Sequence, residues 1–205
     1  MPTALLFVPL WGCAPDREPA PEYSGRILPF ALDKPDFTFT DFDGLPYDFR
    51  KETEGFVTLL FFGYTNCPDV CPIQMANIGA VLRDLPAETQ RRIKVVFVTT
   101  DPDRDTPERM RDWLGAIHPS FIGLTGPLDR VNEIENELLL PRSIIEKPHG
   151  DGGHAEQNYD VGHASPVVAF TADGFSRVMF PYGTRQQDWR RDLPRLVADL
   201  GESGS

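Results

Sequence analysis

Residues 56–72, Phe-Val-Thr-Leu-Leu-Phe-Phe-Gly-Tyr-Thr-Asn-Cys-Pro-Asp-Val-Cys-Pro, carry an apolar run directly into a loop that holds two cysteines. The stretch from Phe56 to Phe62 is almost continuously apolar, the pattern of a strand buried on both faces. Pro72 suits the first turn of a following helix, with Ile73, Ala76, Ala80 and Val81 expected on one face. Cys67 and Cys71 lie between the two elements. On a helical turn, residues i and i+4 stand about 5–6 Å apart at Cβ, close enough to close a disulfide or to clamp a soft metal ion. The spacing leaves both uses open. An inert core pair is the weaker reading, because the prolines, Asn66 and Asp69 describe a loop at a helix start.

Outward from this unit, strands and helices alternate. Val95 to Val98 reads as a second fully buried strand. Before the cysteines, Asp36 to Phe49 is rich in phenylalanine and is broken by Asp43-Gly44, an N-terminal β-hairpin signal. After them, one helix begins near Thr106-Pro107 and ends before Pro119. Another is marked by Leu128, Val131 and Leu138 behind Gly126-Pro127. Val167 to Thr171 and Phe175 to Phe180 form a hairpin around Asp173-Gly174, and Trp189, Leu193, Leu196, Val197 and Leu200 mark a closing helix. This alternation implies an α/β fold, a mixed central sheet flanked by helices. Ligands gather beyond the carboxyl ends of strands in such sheets. The cysteine loop and the Asp101-Pro-Asp-Arg-Asp-Thr-Pro107 segment both follow buried strands, so both are expected at that edge.

The 205 residues, 40% of them apolar and 14 of them phenylalanine, are enough for one sizeable core. A formal charge of -11 argues against nucleic acid, whose phosphates it would repel. Residues 4–12, Ala-Leu-Leu-Phe-Val-Pro-Leu-Trp-Gly, form an apolar run ending at Cys13, too short to span a bilayer as a helix. The run is similar to the end of a bacterial lipoprotein signal. Trp11 is bulky for such a signal, and no Lys or Arg precedes the run, which points to a true start upstream of Met1. An unstructured tail with an incidental cysteine is the alternative. Either way residues 1–25 stand apart as a signal-like segment and Pro-rich linker, and residues 26–205 form the folded domain.

Among the histidines, His149 and His154 fall in a polar, Gly-rich stretch and read as solvated loop residues. His163 stands just before a strand, where a histidine is more often structural than a ligand. Asp105 or Thr106 is expected to cap the helix opened by Pro107. Asp101 is expected to border the cysteine loop, and Asp69, between the cysteines, to tune its charge. Neither carboxylate is a candidate ligand for a soft ion.

Four runs, GYTNCPDVCP (63–72), VTTDPDRDTPERM (98–110), FIGLTG (121–126) and YDVGHASPVVAFTADG (159–174), occur in an order and spacing that resembles the Sco/SenC family of copper-binding proteins. The resemblance covers roughly Leu32 to Leu200 and implies a thioredoxin-like fold. It also implies a membrane-tethered domain at the periplasm or the outer face of the bacterial cytoplasmic membrane. Such a domain binds one copper ion through two cysteines and a histidine, here Cys67, Cys71 and His163. The implied role is to help build the dinuclear copper centre of cytochrome c oxidase subunit II. A copper donor protein and a thioredoxin-like reductant of a Cys67–Cys71 disulfide are the further partners implied. Asn66 stands where many relatives carry His, and Pro166 is unusual after the histidine.

The residues suit that chemistry. Copper(I) favours thiolates and imidazole accommodates both copper oxidation states. A helix start at the pair favours thiolate over thiol. The rival is a thiol–disulfide oxidoreductase, or a redox sensor, using the same two cysteines. Such exchange enzymes usually carry Cys-x-x-Cys, one residue tighter, and do not need the histidine.

Overall fold

The protein is described here by a computed structural model that covers residues 23–146 and 159–198. Cys13, His149, His154 and Leu200 lie outside the described residues. In chain order the elements are β1 (Arg26–Asp33), β2 (Thr38–Asp41), β3 (Pro46–Asp48), α1 (Phe49–Glu52), β4 (Val57–Gly63), α2 (Val70–Asp84), α3 (Ala87–Gln90) and β5 (Ile93–Thr99). They continue with α4 (Pro107–Ile117), β6 (Ile122–Thr125), α5 (Leu128–Glu137), β7 (Ile144–Glu146), β8 (Asp160–Gly162), β9 (Val167–Phe170), β10 (Phe175–Phe180) and α6 (Gln186–Ala198).

Eight strands form one mixed sheet in the order β1-β10-β9-β4-β5-β6-β2-β3, and β7 and β8 form a separate two-stranded ribbon. β4 runs parallel to β5 and β5 parallel to β6, while β9 lies antiparallel against β4. The expected β2–β3 hairpin forms, with Phe39 opposite Tyr47, and pairs onto β6 at one edge. Gly44, in the left-handed region at φ 77°, makes its turn without the Cβ clash other residues would meet. The other edge is β1, which takes an antiparallel place beside β10 with a register shift between Ile27 and Leu32. Neither β1 nor the β7–β8 ribbon is legible in the local pattern. β1 contains Pro29, and its side chains are mostly exposed, so it carries little apolar alternation.

The alternation of side chains along the buried strands divides the interior into two cores. Val57, Leu59, Phe61, Val95 and Phe97 face α2, α4 and α6, where Met75, Ile78, Met110, Leu114, Trp189 and Leu193 are buried. Leu60, Phe62, Val96 and Val98 point the other way, onto Val131, Ile134 and Leu138 at α5 and onto Phe37, Phe39 and Phe49. Fully burying side chains of this size contributes roughly 1.5–3 kcal/mol each, which is why β4 and β5 read as uninterrupted apolar runs.

The face of α2 differs from expectation. Cys71, Gln74, Met75, Ile78, Val81 and Leu82 are buried, whereas Ile73 is 47% exposed and Ala76 also faces outward. The stripe that begins at Cys71 carries the larger apolar side chains, so the helix turns that stripe inward and leaves Ile73 on the rim. The capping expectation at α4 is met by Thr106, whose hydroxyl accepts from the Arg109 N–H. Asp105 is not a cap. It is buried and serves the cysteine loop.

Candidate metal centre

Because β4 and β5 are parallel and adjacent, their carboxyl ends open side by side, and Thr100 N–H donates to Gly63 O just beyond them. Gly63 is followed by the loop that carries Cys67, and α2 begins at Val70. Cys67 therefore precedes the helix and Cys71 sits in its first turn, so the pair is not stacked on one helical face. The loop folds back instead: Cys67 N–H donates to Tyr64 O at 3.2 Å, and Cys71 N–H points at Cys67 Sγ at 3.5 Å. Both cysteines are buried free thiols. Gly63 is required beneath them, since a Cβ there would stand 2.7 Å from Cys71 Sγ and 2.9 Å from the Phe61 ring.

His163 arrives from the far side of the chain, immediately after β8. Its Nε2 lies 3.8 Å from Cys67 Sγ and 3.4 Å from Cys71 Sγ. The donor atoms of Cys67, Cys71 and His163 all lie within 4.8 Å of one another. The other ring nitrogen, Nδ1, is 2.9 Å from Ala164 O. A carbonyl can only accept, so Nδ1 carries a proton and the Nε2 lone pair of the neutral ring is left for the thiol side. Phe61 and Tyr64 meet the imidazole edge-on, with centroids 6.0 and 5.6 Å away.

The two thiols are electrically unequal. The hydrogen bond with Cys71 draws Cys67 down to about 3, with burial opposing and the His163 and backbone hydrogen bonds adding to the fall. Cys71 moves the other way, because it is buried more deeply and beside the Cys67 charge. The thiolate that a helix start favours is thus matched at Cys67, while burial holds Cys71 toward the thiol. For His163, burial works against the cation, yet the Cys67 and Ala164 hydrogen bonds raise it above the ordinary histidine value.

Carboxylates surround the loop without entering it. Asp105 accepts from Thr65 N–H at 2.9 Å, Thr65 Oγ1 at 2.5 Å and Thr99 Oγ1 at 2.7 Å. The end of β5 and the cysteine loop are thereby tied to one buried group, a role that the segment's helix-capping look concealed. Asn66 accepts from Arg109 Nη2 at 3.1 Å, away from the sulfurs. Asp101 is buried and holds Arg104 and Tyr159. Asp69 has no side-chain cap bond and accepts weakly from the Tyr182 hydroxyl. Pro166 follows a trans bond, as do all the described prolines.

A family model described as SCO1/SenC matches residues 29–198. The chain belongs to the SCO1/SenC family. A Stutzerimonas stutzeri protein named for presumed copper binding is 31% identical to this SCO1/SenC chain over 171 residues, 83% of this chain and 80% of that one. The structure of Bradyrhizobium japonicum ScoI with copper bound superposes with a TM-score of 0.66 at 28% identity, covering 80% of this chain and 99% of that one. A SCO1/SenC family lipoprotein of Bacillus anthracis superposes at 0.65 with 26% identity, covering 80% and 95%. The fold of this SCO1/SenC protein is accordingly thioredoxin-like, a mixed sheet with helices on both faces.

Proposed function

We propose that this SCO1/SenC protein is a copper metallochaperone that holds one copper ion through Cys67, Cys71 and His163. The observation that carries the reading is the convergence of two thiol sulfurs and an imidazole nitrogen within 4.8 Å, a donor set soft enough for copper(I) and able to accept copper(II) through its nitrogen. The Cys67 thiolate and the Nε2 lone pair turned toward the sulfurs stand ready for a cation. Burial holds Cys71 toward the thiol, so copper entry is coupled to proton release.

In this reading the delivered copper goes to the dinuclear centre of cytochrome c oxidase subunit II, and a donor protein supplies it. Residues 26–205 form the working domain, while residues 1–25 tether it through a lipid on Cys13 at the outer face of the cytoplasmic membrane. Family membership supports the oxidase role, and the lipoprotein relative supports the tether. Among the described residues, no helix is long and apolar enough to cross a membrane. A thioredoxin-like reductant keeps the cysteines open, because neighbouring thiols in an oxidising compartment tend to pair and a disulfide offers no thiolate to copper.

Titration of the reduced protein with copper(I) against a competing chelator tests the reading. One equivalent is expected. Cys67→Ser and Cys71→Ser each abolish tight binding, and His163→Ala alters the copper(II) spectrum. An unchanged spectrum in His163→Ala removes the histidine from the ligand set, and equal copper loading of the disulfide form removes the redox gate. The unequal thiols favour one second reading, in which the Cys67 thiolate attacks partner disulfides. Catalytic disulfide exchange that persists in His163→Ala, with no copper bound by the parent protein, would establish it.

A further inference from the structure

We propose that Arg104 and Tyr159 form a clasp that positions His163; the inference deepens the copper reading above and rests on it. His163 follows β8, and β8 lies outside the eight-stranded sheet. Its ladder to β7 has only three residue pairs, Ile144 with Gly162, Ile145 with Val161 and Glu146 with Asp160. A two-stranded ribbon of that length is marginal by itself. The imidazole nevertheless has to hold its place between two sulfurs, so other groups must fix the arm that carries it.

Those groups meet at Asp101. Its carboxylate is fully buried, and its Oδ1 accepts from the Tyr159 hydroxyl at 2.5 Å. Its Oδ2 accepts from Arg104 Nε, also at 2.5 Å. The guanidinium lies over the Tyr159 ring, 3.6 Å from its centroid. The same guanidinium is 5.8 Å from the Tyr64 ring, and Tyr64 in turn meets His163 edge-on. The arm is thus gripped at its root by Tyr159 and near its tip by Tyr64, with one arginine reaching both rings. The planar, always-charged guanidinium is matched to this task, because it stacks on aromatic faces and bonds a carboxylate together. Arg104 and Tyr159 act through the Asp101 carboxylate and the aromatic rings. They are positioning residues, and their loss frees the nitrogen ligand while both thiols stay in place.

The clasp therefore matters more for copper(II), which depends on the imidazole, than for copper(I), which the two thiolates hold. The test uses the full chain, reduced, with Tyr159→Leu, Tyr159→Trp and Arg104→Lys. Tyr159→Leu and Arg104→Lys are expected to bind copper(II) about 10–100-fold more weakly. Both also lose the nitrogen coupling in its electron paramagnetic resonance spectrum and keep one copper(I) per chain. Tyr159→Trp, which retains a ring for the guanidinium, recovers most of the affinity. In a His163→Ala background, Tyr159→Leu costs nothing further, because the group it positions is gone. A merely structural role gives additive losses in that cycle, and additivity overturns the proposal. If Tyr159→Leu does not fold, Arg104→Lys decides: wild-type copper(II) affinity and spectrum overturn the clasp. A metal-free readout separates this inference from the copper reading. Nuclear Overhauser contacts from the His163 ring to Phe61 and Tyr64 are expected in the copper-free parent and lost in Arg104→Lys. If the parent binds no copper but this loss occurs, the copper reading falls and the clasp stands. If the contacts persist in Arg104→Lys, the clasp falls.

Discussion

At the scale of single residues, the centre depends on one position that has no side chain. Gly63 closes β4 directly under Cys71, and the 2.7 Å that would separate its Cβ from the sulfur is inside van der Waals contact. Phe61 and Phe97 block retreat on the other sides, so the strain falls on the thiol or on the strand end. Overpacking of this kind typically costs about 1–3 kcal/mol. Gly63→Ala is therefore expected to lower stability by that amount and to weaken copper(I) binding, read by denaturant unfolding and chelator competition on one preparation. Unchanged affinity would mean that Cys71 has room to move that its surroundings do not suggest. The apolar run Phe56 to Phe62 ends just before Gly63, whose role follows from which atoms stand above it.

At the scale of elements, α2 shows how a correct helix can be read with the wrong face. Both stripes, one through Ile73, Ala76 and Ala80 and one through Cys71, Met75, Ile78 and Leu82, satisfy helical spacing, and Val81 of the expected face is buried with the second. The second has the greater apolar volume and is the one buried against the sheet. Ile78→Ala is expected to cost about 2–5 kcal/mol, a fully buried truncation. Ile73→Ala, at an exposed site, is expected to stay within about 0.5 kcal/mol. Urea unfolding of the two variants side by side checks the assignment, and equal losses would return Ile73 to the core. Similar logic applies at α4. Thr106 and Asp105 both look like caps in the sequence, but only Thr106 can turn its oxygen to the Arg109 N–H, while Asp105 is drawn inward by Thr65 and Thr99.

At the scale of the whole molecule, a cation is buried at the end of the sheet remote from the cysteines. Lys34 is 3% exposed; its ammonium donates to Thr53 O at 2.9 Å and lies 5.8 Å from the Phe170 ring centroid. Burial, with Lys94 and Arg50 adding repulsion, pulls it from the ordinary 10.5 down to about 8. Between those values the unfolded chain holds one more proton than the folded chain, so raising the pH favours folding. The stabilisation is present in full above about pH 10.5 and is lost as pH falls through about 8. Its size is on the order of 3 kcal/mol at about 1.4 kcal/mol per unit. Other groups titrate in this range, so the difference between wild type and Lys34→Met is the quantity to measure. It is expected to be flat below pH 8 and to shift toward wild type above it; a difference independent of pH would mean that Lys34 reaches water.

The sequence by itself determined the elements whose causes are local. Continuous apolar runs made β4 and β5, Asp43-Gly44 made the β2–β3 turn, and Thr106-Pro107 opened α4. The pairing of Cys67 with Cys71 was legible because only three residues separate them in the chain. His163 lies 92 residues from Cys71, and no local spacing connects them. The family resemblance drew it to the cysteines, and folding brings its Nε2 there. The direction α2 faces, the edge position of β1, the β7–β8 ribbon and the split between thiolate and thiol were decided only by tertiary structure. Each depends on distances across the sheet or on the depth at which a charge is buried. Neither quantity is carried by neighbouring residues along a chain.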